Sequence, residues 1–311
     1  MFKQGGPGSG GVLPERGSEE DVVDDGVHPP VHLNDRVEQI LDQGYTIFED
    51  FCTEQEIADI RHAFNTEVPI TQMAAIGTET GLTLRAHNLL AKTRACDWLF
   101  LDPRLRKLVK GVLGPLVQVN VTTLFNTLPG ETRQFLHQDD GLWPIARPHP
   151  SFICNALLAI DDFDEEVGST HVVPFSHKMN DVVPHNKHPD EIQVRMKSGS
   201  MIMWEGGLWH GGGANTTSVE AGNYRERMGF FMSHSVGYLR PQEIQVTLLL
   251  MTVLASWFCF HTDGALCCSA RVRPAADRAA DAQAAAAPAR LPPLRHRRRR
   301  PRPGGRAGER R

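Results

Sequence analysis

The chain has 311 residues, and its 41% hydrophobic and 23% charged residues are ordinary for a soluble enzyme of one large or two small domains. The net charge of −4 is uneven: residues 271–311 hold 13 Arg and three acidic residues, so residues 1–270 carry −14. This acidic main part argues against nucleic-acid binding. Six scattered cysteines exclude a regular disulfide framework, and no apolar secretion signal is visible, so we expect a cytoplasmic protein.

The N-terminal region predicts a disordered segment followed by helices. Residues 1–31 are rich in Gly, Pro and acids, and we expect them to be disordered. Asn34 is the predicted N-cap of a first helix, and residues 44–48 predict a short strand. Thr53 and Glu56 have the spacing of a capping box, which opens a second helix.

The middle of the chain changes from a helical to a strand period. A strand is expected within residues 82–90, and Pro103 suits the first position of a helix that Gly114 ends. Apolar residues then alternate with polar ones over 117–121, and a second apolar run covers 124–128.

Short strands dominate the rest of the predicted domain. They are expected at 151–160, Thr170–Val173, 191–194, 200–204 and 228–235. Because Gly-, Pro- and Asp-rich turns separate them, the pattern favours a barrel or jelly roll over a parallel sheet, with the early helices on one outer face.

A His-x-Asp triplet follows the turn after residue 128. If this stretch is an extended strand, His137 and Asp139 point to the same side. An imidazole and a carboxylate are two thirds of the 2-His-1-carboxylate triad that holds non-haem Fe(II). The alternative interpretation is a polar turn with a solvated histidine.

Two later segments carry further candidates. His210 lies in a glycine-rich stretch, where backbone and ligands can approach closely, although a flexible loop has the same composition. Arg225 and Arg227 precede an apolar strand. Arg227 runs directly into that strand, so it is expected to meet a buried anion, because an unpaired buried charge is costly.

Together these segments resemble the phytanoyl-CoA dioxygenase (PhyH) family of Fe(II)/2-oxoglutarate oxygenases. The similarity covers roughly residues 35–243, and several motifs occur in the family's order. They are QFLHQD at 134–139, LLAIDDF at 157–163, GSTHVVPFSHK at 168–178, WHGGGAN at 209–215 and YLRPQE at 238–243.

The resemblance implies a mainly β fold with flanking helices and a double-stranded β-helix (jelly-roll, cupin-like) core. It implies that His137, Asp139 and His210 bind iron, and that Arg227 holds the far carboxylate of 2-oxoglutarate. The connection between His210 and Arg227 is longer than in many members, which leaves Arg225 as an alternative.

Four further positions receive roles from the same resemblance. Residues matching Gln134 and Thr170 contact the cosubstrate in related members. Asn88 and Trp143 are candidates for the substrate pocket, with plain packing as the alternative.

The implied activity consumes 2-oxoglutarate and dioxygen, releases succinate and CO2, and oxidises a C–H bond, with hydroxylation as the default outcome. The acidic main part argues against a highly anionic CoA ester, so a small, largely apolar intermediate of secondary metabolism is the expected substrate. Two other functions stay open: a catalytically inactive binding protein with this fold, and a membrane-attached protein that acts through its basic C-terminus.

Beyond the expected oxygenase domain at 32–243, the pattern changes abruptly. Residues 244–260 are mostly apolar, and 261–311 form an Ala/Pro/Arg-rich tail. The apolar run is just short of the roughly 20 residues that span a bilayer. It could be a membrane anchor, an element packed on the barrel, or non-native coding sequence. We favour the third interpretation, because charge, composition and pattern change together. The sequence does not indicate an oligomeric state.

Overall fold

A computed structural model of the chain describes residues 22–23, 26, 31–68, 71–73, 80–147, 149–184 and 186–243. The predicted segments 244–260 and 261–311 lie outside this part, as does most of the segment 1–31 that is expected to be disordered. Over the described ranges, no helix has the length and apolar character needed to cross a membrane.

The described residues form four α-helices and twelve strands. The helices are α1 (Leu33–Gln43), α2 (Glu54–Glu67), α3 (Asp97–Leu101) and α4 (Pro103–Leu113). The strands are β1 (Val22–Val23), β2 (Val31–His32), β3 (Tyr45–Phe48), β4 (Thr71–Met73), β5 (Thr83–His87), β6 (Val117–Thr127), β7 (Ile153–Ala159), β8 (Thr170–Val173), β9 (Ile192–Gln193), β10 (Met201–Glu205), β11 (Trp209–Gly212) and β12 (Arg227–Val236).

Two antiparallel sheets build the core. The larger has seven strands in the order β3-β10-β7-β12-β6-β5-β4, and the smaller has the order β11-β8-β9. Strands distant in the sequence are neighbours in both sheets, as in a jelly roll, and residues of both sheets line one cavity. The mainly β fold class with flanking helices is confirmed.

The central strands are buried on both faces. In β12, Phe230 packs edge-on against Phe64 of α2, with ring centroids 5.7 Å apart, while its neighbour Phe231 lines the cavity. Side chains of a strand alternate between its faces, so one strand serves both the helix layer and the cavity. Helix α4 contacts the same outer face through β7 and β12.

Several local predictions are confirmed, and one is wrong. The Thr53–Glu56 capping box opens α2 with both of its hydrogen bonds, and Gly114 ends α4 in a left-handed conformation. Helix α1, however, begins at Leu33, and His32 rather than Asn34 is its N-cap. Leu33 is fully buried within the first turn, so burial of that side chain draws the helix start ahead of Asn34.

Two strand predictions also need correction, and one alternative that the sequence left open is decided. The runs 117–121 and 124–128 are one strand, β6, since β12 pairs along its whole length. Residues 134–140 are not a regular strand: His137 forms a single bridge with His210, and a 3-10 helix begins at Asp139. The glycine-rich stretch around His210 is not a loop but contains β11.

Candidate metal centre and its cavity

Three predicted ligands meet at one point between the two sheets. His137, Asp139 and His210 each present one ligand atom, and these atoms lie within 4.8 Å of one another. His137 Nε2 lies 3.8 Å from Asp139 Oδ1, and His210 Nε2 lies 3.3 Å from Asp139 Oδ2. The sequence separates these residues widely, so the fold itself creates the cluster.

Main-chain hydrogen bonds bring the three residues together. His137 and His210 exchange both N–H···O=C bonds, at 2.9 and 3.0 Å, which fixes their side chains opposite each other. The Asp139 N–H donates to the carbonyl of Gly206 at 2.9 Å, in the turn that leads into β11. Strand β11 is in turn paired with β8. The cluster therefore rests on backbone rather than on mobile loops.

Each histidine is oriented by a carbonyl two residues before it. His137 Nδ1 lies 3.1 Å from the oxygen of Phe135, and His210 Nδ1 lies 2.9 Å from the oxygen of Leu208. When Nδ1–H donates to a carbonyl, the neutral ring keeps a lone pair on Nε2. Both rings thus offer Nε2, the atom that faces Asp139.

Asp139 is held by an amide from the large sheet. Asn155 of β7 donates from Nδ2 to Asp139 Oδ2 at 2.7 Å. Sequence reasoning missed Asn155, although it is a polar residue within the otherwise apolar, fully buried β7. That contrast was the available signal, because buried polar groups require partners.

The electrostatics favour a bound cation. Burial and the neighbouring His210 lower the pKa of His137, so its ring is neutral. Burial disfavours a charge on Asp139, but the charge of His210 and their hydrogen bond prevail and lower the Asp139 pKa. Burial likewise disfavours a charge on His210, yet Asp139 raises the pKa of His210. A metal cation would take the place of the proton that Asp139 attracts.

Arg227 lines the cavity and has no carboxylate partner among the residues that the structure describes. It is buried, donates from Nη2 to Thr127 Oγ1 at 3.2 Å, and leaves Nε without a hydrogen bond. Its guanidinium carbon lies 5.3 and 5.0 Å from the ring centres of Phe125 and Phe163. Burial and the nearby charge of Arg85 lower the pKa of Arg227 to about 10, so it stays protonated.

Arg225, the alternative candidate, already forms ion pairs outside the cavity. Arg225 is bound to Asp164 at 2.6 Å and to Glu166 at 2.8 Å, and it is not among the residues that line the cavity. Within the described ranges Arg227 forms no ion pair. The geometry therefore supports Arg227 as the group that meets an anionic ligand.

The other two cosubstrate candidates also line the cavity. Gln134 accepts the Gly212 N–H on its Oε1 at 2.8 Å, and Thr170 lies on β8 beside β11. A Cβ on Gly212 would lie 2.9 Å from Gln134 Oε1, so a larger residue here would displace the Gln134 side chain from this position.

The two substrate candidates do not line the cavity. Asn88 has a positive φ of 56° at the start of a 3-10 turn, where its N–H donates to the Glu243 carboxylate at 3.0 Å. Trp143 packs edge-on against Phe152, with ring centroids 5.6 Å apart. Turn geometry and packing occupy these residues, so the prediction that they line the pocket is not supported.

The cavity measures about 440 Å³, within the usual range for small-molecule sites. Its apolar wall consists of Val121, Phe125, Phe135, Leu142, Ile153, Leu157, Trp204 and Phe231. Arg85 and His87 of β5 add polar groups that sequence reasoning did not single out. Their spacing of two residues in a strand was the available signal for a shared face.

Comparison with known proteins agrees with this architecture. Dioxygenase trt7 of Aspergillus terreus is 25% identical over 222 residues, which cover 65% of this chain and 74% of trt7. Dioxygenase aneA of Aspergillus aculeatus is 30% identical over 131 residues, 40% of this chain and 42% of aneA. The chain thus matches less than half the length of aneA.

Solved structures share the fold. HygX from Streptomyces hygroscopicus, with nickel, 2-oxoglutarate and hygromycin B bound, aligns with a TM-score of 0.56 at 17% identity, covering 67% of this chain and 88% of HygX. The α-ketoglutarate-dependent epimerase SnoN from nogalamycin biosynthesis aligns with a TM-score of 0.55 at 15% identity, covering 69% and 87%.

A family profile described as "Phytanoyl-CoA dioxygenase (PhyH)" matches residues 40–221, well over half of the chain. The predicted family and the jelly-roll core are confirmed. The chain belongs to the phytanoyl-CoA dioxygenase family of Fe(II)- and 2-oxoglutarate-dependent oxygenases.

Proposed function

We propose that this chain oxidises an unactivated C–H bond of a small, largely apolar biosynthetic intermediate, with hydroxylation as the outcome. It would use Fe(II), 2-oxoglutarate and dioxygen. The observation that carries the proposal is the convergence of His137, Asp139 and His210 on a cavity that also holds Arg227, a buried cation that forms no ion pair with any residue in the described part of the chain.

The residues present fit iron. Two imidazoles and one carboxylate are the protein ligands of the facial triad, and they leave coordination positions for other ligands. Each imidazole is fixed with Nε2 available, and the carboxylate is fixed by Asn155. Such support of the ligands is a general feature of metal sites, and it keeps the donor atoms in place before the metal arrives.

The residues also fit 2-oxoglutarate. Its far carboxylate would meet Arg227, whose planar guanidinium suits a carboxylate, with Thr127 beside it. Gln134 and Thr170 line the same cavity as this arginine and the three candidate metal ligands. When bound, iron and 2-oxoglutarate supply the oxidising power, and 2-oxoglutarate is converted with dioxygen to succinate and CO2.

The remaining wall would orient the substrate. Phe231 and Leu157 are apolar and lie next to each other in the large sheet, so they would hold an apolar carbon skeleton and limit the entry of water. SnoN and SnoK, both from nogalamycin biosynthesis, share the fold and are an epimerase and a carbocyclase. These two proteins support a biosynthetic substrate. Because they catalyse epimerisation and ring closure, experiment must also determine whether this chain hydroxylates its substrate.

The direct test is release of succinate from 2-oxoglutarate by purified protein supplied with Fe(II), with and without candidate substrates. We expect turnover that a panel of apolar intermediates stimulates, and none in the His137→Ala variant. Mass spectrometry after reaction under ¹⁸O₂ identifies the outcome, because hydroxylation adds one labelled oxygen, whereas epimerisation or ring closure adds none. No succinate with any substrate would favour a binding protein instead.

A further inference from the structure

The inner wall of the cavity is a ladder formed by β5, β6 and β12. Arg227 pairs with Thr127 near one end, and four residues further along Phe231 pairs with Thr123, whose other neighbour is His87 of β5. Strands rise about 3.4 Å per residue, so His87 lies roughly 14 Å along the sheet from Arg227. The cavity wall therefore has two ends: the end near Arg227, where the cosubstrate is proposed to bind, and a second end near His87.

A β-bulge shapes this second end. The pairing of β6 with β12 shifts at Asn120, which is an extra residue between the partners of Ser233 and His234. The Asn120 side-chain oxygen accepts the N–H of Gln242 at 2.8 Å, and its main-chain oxygen accepts the N–H of Glu243 at 3.1 Å. Bulges commonly redirect a side chain beside an active site. Here the bulge attaches the segment that follows β12.

The carboxylate of Glu243 completes the attachment. It accepts the N–H of Asn88 at 3.0 Å, the N–H of Thr122 at 2.9 Å and the Thr122 hydroxyl at 3.1 Å. Glu243 is buried, and its carboxylate lies 3.8 Å from His87 Nδ1. Residue 242 is thus held at the cavity wall beside β5 by a network of buried hydrogen bonds.

Two polar side chains at this end keep unused hydrogen-bonding groups. His87 uses Nδ1 with Thr123 Oγ1 at 2.9 Å, and its Nε2 has no partner among the described residues. The side-chain amide of Gln242 likewise bonds to none of them. Both residues line the cavity, whose wall at this level is mixed and includes Val121, Thr123 and Phe231. Polar groups that line a ligand cavity usually fix the orientation of a ligand.

We propose that His87 and Gln242 form a subsite that binds an uncharged oxygen-bearing group, a hydroxyl or carbonyl, of an otherwise apolar substrate. This inference rests on the proposed function and names the substrate class of the same cavity. An anionic group is disfavoured by the carboxylate of Glu243 beside His87, and a cationic group by Arg85, two residues before it on the same face. An uncharged oxygen-bearing group is repelled by neither Glu243 nor Arg85.

The test uses three bicyclic probes of equal skeleton: 2-decalone, decalin and decalin-2-carboxylate. Ligand-observed NMR titration of the full chain gives each dissociation constant. We expect the wild type to bind the ketone best. Gln242→Leu and His87→Phe should each weaken ketone binding roughly three- to tenfold, the value of one neutral hydrogen bond, and leave decalin unchanged.

Gln55→Leu, an exposed change on α2, is the matched control and should alter nothing. Equal binding of ketone and hydrocarbon by the wild type, undetectable ketone binding, or an advantage that survives both variants would overturn the subsite. Succinate release is measured separately on the same preparations. If the protein prefers the ketone but releases no succinate, the proposed enzyme activity is rejected and the subsite is retained. If it releases succinate but shows no preference for the ketone, the subsite is rejected and the enzyme activity is retained.

Discussion

At the scale of single residues, each histidine of the candidate metal centre is oriented by the carbonyl two positions before it. Phe135 and Leu208 play this part for His137 and His210, so the choice of ring nitrogen is encoded within three consecutive residues. Asp139 differs, because its orienting partner Asn155 comes from β7. Among the three candidate ligands, the orientation of Asp139 is therefore the most sensitive to substitutions in the large sheet.

Replacing Asn155 by Ala should weaken Fe(II) binding about 10- to 100-fold, because the freed Asp139 carboxylate loses its fixed orientation. Metal titration of the apo protein measures the effect, with Ni(II) as an oxygen-stable substitute. Asn223→Ala changes an amide in the loop before β12 and should bind metal as the wild type does. Unaltered affinity in the Asn155 variant, with the fold intact by circular dichroism, would show that this hydrogen bond is dispensable.

The two neighbouring arginines should differ sharply. Arg227→Leu should weaken 2-oxoglutarate binding by roughly 10- to 100-fold, since a charge-assisted hydrogen bond contributes about 1.5–3 kcal/mol. Arg225→Leu should leave it within about twofold, because that residue pairs with Asp164 and Glu166 away from the cavity. Isothermal titration calorimetry of 2-oxoglutarate into the Ni(II)-loaded proteins measures both dissociation constants. A larger loss in the Arg225 variant would reverse the assignment.

Much of the site was predictable from the sequence because its ligands lie in short motifs. His137 and Asp139 stand two apart, and His210 lies in a distinctive glycine-rich run. The sequence marks Asn155 and His87 only weakly, because strand pairing rather than a local motif brings Asn155 to Asp139 and His87 to the cavity wall. Asn88 was a pocket candidate from the family resemblance, but its main-chain N–H, in a turn with a positive φ, binds the carboxylate of Glu243 instead.

At the scale of elements, local signals predicted helix ends better than strand roles. The capping box of α2 and the glycine after α4 act through hydrogen bonds within a few residues, so sequence spacing reveals them. Strand β11 lacks such a signal: Gly211 and Gly212 read as a loop, but pairing with β8 makes this stretch a strand. Tertiary pairing overrides the low strand propensity of glycine.

Thr53→Ala should destabilise the protein by about 1 kcal/mol, because α2 loses the acceptor for the Glu56 N–H and the reciprocal bond becomes less well held. For a protein of this size the midpoint of thermal unfolding should fall by roughly 2–4 °C. Differential scanning calorimetry measures the shift. Thr66→Ala, near the C-terminal end of the same helix, removes no cap and should shift the midpoint by less. Equal shifts would contradict the capping role.

At the scale of the whole molecule, the fold buries a further acid, Glu205, next to the turn that binds the main chain of Asp139. Glu205 ends β10, is almost fully buried, and accepts the Gly207 N–H at 2.7 Å. The carbonyl of Gly206 in the same turn accepts the N–H of Asp139. Burial, followed by the charge of nearby Asp140, raises the pKa of Glu205 to about 7. Its protonation state is thus coupled to the stability of the turn that carries the site.

The sign of the resulting pH dependence follows from the two pKa values. In the unfolded chain Glu205 ionises near pH 4.5, whereas in the folded protein it keeps its proton to about pH 7. Between these values the folded state binds one proton more, so this group's contribution to the free energy of unfolding falls as pH rises and is constant above about pH 7. The total fall is on the order of 3 kcal/mol, at about 1.4 kcal/mol for each tenfold change in proton affinity.

Glu205→Gln should remove this fall, because an amide stays neutral and its oxygen can still accept the Gly207 N–H. Urea unfolding at pH 5 and pH 8 gives the free energy of unfolding for both proteins, and subtracting the wild type from the variant cancels the titration of all other groups. We expect the difference to grow in favour of the variant by a few kcal/mol between the two pH values. Glu165→Gln, at an exposed position, should show no such growth. A constant difference for Glu205→Gln would mean that Glu205 is already ionised in the folded protein at pH 5, and that the turn beside the metal centre holds a buried charge.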